Sequence, residues 1–141
     1  MTEAGGADDE AAPLRVTGLD HLVLTVRDLA ATIDFYERAL GMRAFSFADG
    51  RRWALAFGSE KLNLHELGNE YLPNARHAQP GSADLCLLAE TPIDAIVAHL
   101  ESLDVQIELG PTRADGATGE LCSVYVRDPD GNLVEVANRV G

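Results

Sequence analysis

The hydrophobic positions change period along the chain, and each change marks an element. Residues 19–26 read LDHLVLTV, a Leu- and Val-rich run of strand length. Asp28 follows as a helix N-cap, because its carboxylate can accept the unpaired backbone N–H groups of a first turn. Leu29, Ile33, Tyr36 and Leu40 then recur at helical spacing, and Gly41 supplies a left-handed stop. Strands are predicted at 42–48 and 51–57, joined by Asp49-Gly50, a pair suited to a two-residue hairpin where φ must be positive. A fourth strand is predicted at 61–66.

After a linker at 67–81 that carries two Pro and two Gly, the same order returns. Residues 83–89 read as a strand. Thr91 is the expected cap, with Pro92 at the first helical position and Asp94 three residues beyond the cap. Ile93, Ile96, Val97, Leu100 and Leu103 form the stripe of a second helix. Strands at 105–109, 121–127 and 132–138 complete the set, the last two joined by a turn at Asp128-Pro129-Asp130-Gly131. The pattern is βαβββ written twice, as modules 18–66 and 83–138 of one domain spanning 14–141. One offset checks the repeat: His21 lies seven residues before Asp28, and Asp84 seven before Thr91. His21 and Asp84 are therefore pseudo-equivalent.

Alternation then isolates the polar residues that do not suit covered strands. His21 shares a face with Leu19, Val23 and Thr25. Lys61, Asn63 and His65 share one face of the fourth strand, with Leu62 and Leu64 opposite. Glu135 lies between Val134 and Val136 on the last strand, where it can serve as a buried carboxylate or pair with Arg127 or Arg139. Two imidazoles and a carboxylate make a ligand set suited to Fe, Mn, Ni, Co or Zn. Their spacing matches no short local motif. Arg51-Arg52 beside Trp53 reads first as a solvated hairpin end and second as an anion grip. His99 falls off its helix stripe and is expected in solvent, and His77 sits in the linker. Tyr71 and Tyr125 are read as core or rim residues.

Composition narrows the classes. The chain has 141 residues, 46% of them hydrophobic, enough for a core without staples. Eleven Lys and Arg stand against 23 Asp and Glu, giving a net charge of −12 that repels phosphate backbones and anionic lipid, so neither nucleic acid nor membrane is an expected partner. No apolar run approaches the length of a membrane span, and residues 1–13 carry no signal-peptide pattern. That segment is poor in bulky apolar residues and is expected to be disordered. Cys86 and Cys122 lie 36 residues apart with no CxxC, which reads as two packed thiols in a reducing cytoplasm. No P-loop, GxGxxG or nucleophile elbow occurs.

The segments LDHLVLTVRDLAATIDFYERALGM at 19–42, KLNLHE at 61–66, GSADLCL at 81–87 and VYVRDPDGNLVEVAN at 124–138 carry a resemblance. In them the chain resembles the vicinal oxygen chelate superfamily of glyoxalases, extradiol dioxygenases and fosfomycin- and bleomycin-resistance proteins. It looks closest to the glyoxalase-domain-containing protein 5 group. The resemblance implies an α+β fold, two βαβββ modules forming a cupped mixed sheet around a divalent metal ion (Ni, Mn, Fe, Co or Zn). By position His21 matches the first-strand ligand and Glu135 the last-strand ligand. His65, with Asn63 two residues before it, lies where glyoxalases carry a fourth-strand carboxylate. Many members place a His on the fifth strand; here Asp84 substitutes for it, or His65 completes the set instead. The resemblance further implies a homodimer with shared sites, His21 and His65 from one chain and Glu135 from the other. The activity it implies is that of a glyoxalase-like lyase or isomerase on a small substrate with vicinal oxygens. Glu135 would be the general base and an enediolate the intermediate. The alternatives are a metal-free drug-binding module like bleomycin-resistance proteins, thiol transfer, or extradiol ring cleavage.

Overall fold

The computed structural model describes residues 12–141; most of the 1–13 segment lies outside the described residues. The elements are β1 (His21–Val26), α1 (Leu29–Leu40), β2 (Arg43–Phe47), β3 (Arg52–Phe57), β4 (Glu60–Glu66), β5 (Asp84–Leu88), α2 (Ile93–Ser102), β6 (Leu109–Asp115), β7 (Glu120–Arg127) and β8 (Leu133–Arg139). They form two four-stranded sheets with the same internal order, β1-β4-β3-β2 and β5-β8-β7-β6. In each, the first strand pairs in parallel with the last, and the remaining pairs are antiparallel. The parallel pair is possible because a helix supplies the crossover. The doubled βαβββ reading is thus the fold.

Local chemistry explains the joints. Asp28 caps α1 through its carboxylate, which accepts from the Ala31 N–H at 3.1 Å. Gly41 ends the helix at φ 70°, with its N–H on Glu37 O and the Met42 N–H on Tyr36 O. One buried cluster joins both modules. It takes Leu24, Val26, Leu55, Leu62 and Leu64 from the first sheet and Val124, Val126, Val134 and Val136 from the second. Tyr36, Ala39 and Met42 join it beside α2 residues Ile96 and Leu100. Each sheet spends one face on this core and turns the other away from it.

A polar strut also crosses between modules. Tyr36 is fully buried and donates to Asp128 Oδ2 at 2.7 Å. Asp128 also accepts from Asn132 Nδ2 and from the Asp130 and Asn132 N–H groups, and Asn132 Oδ1 accepts from the Ala83 N–H. Burial and the facing Asp128 carboxylate raise the Tyr36 phenol, so it is a permanent donor.

Three local expectations are corrected. The sixth strand runs over Leu109–Asp115 rather than 105–109, with a register irregularity between Leu109 and Thr112. Pro111 is tolerated there because β6 is a sheet edge. Gly110 permits it too: at φ 106° its missing Cβ would fall 2.3 Å from Ser123 O. The β2–β3 connection is four residues, 48–51, because Ala48, Asp49 and Gly50 all take positive φ. Pro92, not Thr91, is the cap of α2 and makes no side-chain capping bond. His99 is exposed, as expected, and its Nε2 contacts Arg38 O at 2.9 Å.

Candidate functional site

On module 1 the face turned from the core carries the odd residues of β1 and β4. His21 is level with Lys61, Val23 with Asn63 and Thr25 with His65. His21 Nδ1 donates to Asp20 Oδ1 at 2.8 Å, an exposed pair that leaves Nε2 free to act as a ligand. Asn63 is 5% exposed, and its Oδ1 has no partner among the described residues. Such a buried acceptor is costly unless something fills the vacancy.

Module 2 repeats this geometry. Asp84 is level with Leu133, and Cys86 with Glu135. From His21 the polar partner on the neighbouring parallel strand is two positions on, at Asn63; from Asp84 it is two positions on, at Glu135. That diagonal spans about 8 Å at the backbone. The repeat therefore places two equivalent pairs, His21/Asn63 and Asp84/Glu135.

Glu135 is the most engaged of the four. Ser123 Oγ donates to its Oε2 at 2.6 Å, and its register neighbours on the flanking strands are Cys86 and Tyr125. Partial desolvation and the facing Glu135 push the Cys86 thiol up to about 11, and the same two causes raise the Tyr125 phenol. Both groups stay protonated and present donors to the carboxylate. This overturns the reading of two packed thiols: Cys86 is exposed and Cys122 half-buried. Neither Arg127 nor Arg139 pairs with Glu135. Arg127 binds Glu108 at 2.9 Å, and Arg139 binds Thr118 Oγ1.

The predicted site residues divide accordingly. His21 and His65 share a face but stand four register positions apart, on the order of 13 Å along the strands, too far for both imidazoles to reach one ion. His65 is buried at 3% exposure, its Nε2 3.5 Å from Arg52 Nη2 and its ring edge-on to Tyr71. Burial first, and the Arg52 charge second, lower its pKa, so it is neutral. Among the described residues of one chain, no three His, Cys, Asp or Glu side chains gather around a common point. Glu135 belongs to the other sheet.

A family model for the Glyoxalase/Bleomycin resistance protein/Dioxygenase superfamily matches residues 18–136. The chain belongs to that superfamily. Its relatives include Virulence protein STM3117 of Salmonella typhimurium, 46% identical over 131 residues that cover 93% of this chain and 90% of that one. The crystal structure of that protein superposes with a TM-score of 0.88, over 90% of this chain and 100% of the other. Glyoxalase domain-containing protein RDO1 of Mycosarcoma maydis is 48% identical, over 89% of this chain and 70% of its own length. More distant is lactoylglutathione lyase from Agrobacterium tumefaciens, 25% identical with a TM-score of 0.66, over 87% of this chain and 94% of that structure.

Superfamily membership and the register together bring forward residues that sequence reasoning passed over. Ser123 and Tyr125 flank Glu135, a placement legible only once β7 and β8 are in register. His77 lines a cavity of about 140 Å³ with His65, Thr25 and Gln79, beneath the linker. Nothing local to 67–81 announces it.

Proposed function

We propose that the protein is a divalent-metal-dependent, glyoxalase-like enzyme acting on a small substrate with adjacent oxygens. Its site would be completed between module 1 of one copy and module 2 of another. The observation that carries this reading is the equivalence of His21/Asn63 and Asp84/Glu135 on faces that both turn away from the shared core. Each pair alone offers two donors. Facing each other across two copies, they offer one imidazole and three oxygens and leave positions open for substrate.

The unsatisfied Asn63 oxygen and the Asp20-oriented His21 ring fit such an ion. Apolar residues on the open faces agree with coverage by a second copy: Val23 is 43% exposed, Leu88 53% and Leu109 57%. When bound, the ion would supply Lewis-acid polarisation of the adjacent substrate oxygens. Glu135 is the catalytic base. Ser123 fixes Oε2, and the other oxygen, which would let go of the ion in part, takes a proton from substrate carbon and returns it to the neighbouring carbon. Tyr125 and Cys86, both held protonated, keep that carboxylate oriented.

Metal content per chain, by mass spectrometry of the untagged protein, tests the metal. About one ion per chain, lost in His21→Ala and in Glu135→Ala, supports the reading. Persistent absence after loading with Mn, Ni, Fe, Co and Zn leaves a metal-free small-molecule-binding role. Mixing the two inactive variants tests sharing. After subunit exchange a twofold dimer with shared sites regains about a quarter of wild-type activity, whereas sites within one chain regain none.

A further inference from the structure

The face that carries His21 also carries Arg43, Arg52 and Lys61, none with a counter-ion among the described residues, and two of these cations are held on aromatic rings. Lys61 Nζ lies 4.2 Å from the Phe47 ring centroid and 5.9 Å from that of Phe45. The Arg52 guanidinium lies 5.2 Å from the same Phe47 ring and 4.6 Å from that of Tyr71. Tyr71 is itself anchored through its hydroxyl on Arg51 O at 2.6 Å. Among the described residues neither Lys61 nor Arg52 has an ion-pair partner, although the chain carries 23 acidic residues. The outward positions of β1–β4 hold no Asp or Glu at all.

Donors are in excess here. Arg52 has five N–H groups and a single hydrogen-bond contact, at 3.5 Å to His65 Nε2. In that contact the neutral imidazole accepts, so its proton sits on Nδ1, which is buried and has no acceptor. Aromatic faces hold the cation heads in place and leave their N–H edges unspent. The floor between them is Ala54, level with Asn63, and Ala56, level with Lys61. Ala54 is fully buried there. Lys61 is also the direct register neighbour of His21.

We propose that Arg52 and Lys61 form an oxyanion shelf, and that the substrate carries a carboxylate, phosphonate or phosphate head a short span from its chelating oxygens. The span is short because Arg52 and Asn63 lie one strand and two register positions apart, about 8 Å at the backbone. This substrate class rests on the metal-site reading for its chelating end, but the shelf needs no metal. It also runs against a cationic ligand, which the net charge alone would favour, because the outward positions of β1–β4 carry cations and no carboxylate.

The test is an NMR titration of the full chain, metal-free and metal-loaded, with pyruvate, methylphosphonate and the neutral ester methyl pyruvate. Both anions are expected to shift the amides of β3 and β4 saturably, the ester is not, and added salt weakens the binding. Whichever anion binds tighter names the head group. Arg52→Gln and Lys61→Met are each expected to weaken anion binding by about tenfold or more, as for the loss of one charged hydrogen bond. Lys61→Arg keeps the charge and retains binding, as does Arg38→Gln on exposed α1, and these two guard against a folding artefact. Equal binding of ester and anions, or anion binding untouched by both charge removals, overturns the shelf. Metal uptake that survives such a result leaves the metal reading standing; anion binding without metal uptake leaves the shelf alone.

Discussion

The outward face of module 1 carries Arg43, Arg52, Lys61, His21 and His65, with no carboxylate. The corresponding face of module 2 carries Asp84 and Glu135, and the arginines there are engaged: Arg127 with Glu108, Arg139 with Thr118. Strand order, pairing sense and the two-position diagonal are the same in both halves. One backbone has thus been dressed with opposite chemistry. A sheet fixes where side chains emerge but not what they are, because successive residues alternate faces and only the inward set must be apolar. The inward set is shared and conservative in type; the outward set is free to divide into a donor-rich half and an acceptor-rich half. The two halves complement each other only if they face one another, and within one chain they do not.

The largest expected effect comes from cutting the strut that fixes the two modules. Asp128→Ala strands the buried Tyr36 hydroxyl, the Asn132 amide and two backbone N–H groups, and should cost about 3 kcal/mol in a urea melt. Tyr36→Phe, which keeps the packing, should cost clearly less.

Next comes the division of labour between the histidines. His21→Ala should lower metal affinity by about a hundredfold or more, whereas His65→Gln should leave it within about threefold, as read by competition with a chelating dye. Equal losses would return His65 to the ligand set. Leu88→Asp places a charge on the apolar part of the module 2 face. It should shift the protein to monomer in sedimentation and remove activity while leaving the fold intact by circular dichroism.

The smallest effect concerns Cys86. With its thiol pushed up to about 11, alkylation by iodoacetamide at pH 8 should run on the order of a hundredfold slower than for an ordinary exposed cysteine. The sign follows from the charge: a neighbouring carboxylate disfavours the thiolate, so Glu135→Gln should speed the reaction, and raising the pH toward 11 should do the same. An unchanged rate in Glu135→Gln would mean that desolvation alone holds the thiol.

Much of this was legible in the chain itself. Leu/Val runs of strand length, the Asp28 cap, the Gly41 stop and the repeated seven-residue offset from His21 and Asp84 are local or periodic features, and local sterics and hydrogen bonding act over just such distances. They yielded two βαβββ modules and, with strand alternation, the candidates His21, His65 and Glu135, with Asp84 as a possible substitute. The edge strand falls at Leu109–Asp115 rather than 105–109, where Gly110 and Pro111 are tolerated because an edge needs fewer ladder bonds. Tertiary structure alone decided register, and register decided the site. It set His65 four positions from His21, brought Asn63 into the diagonal, put Ser123 and Tyr125 beside Glu135, and left Arg52 and Lys61 around one phenylalanine ring. The physical reason is that these contacts join residues far apart in sequence, and no short-range preference distinguishes one pairing of strands from another.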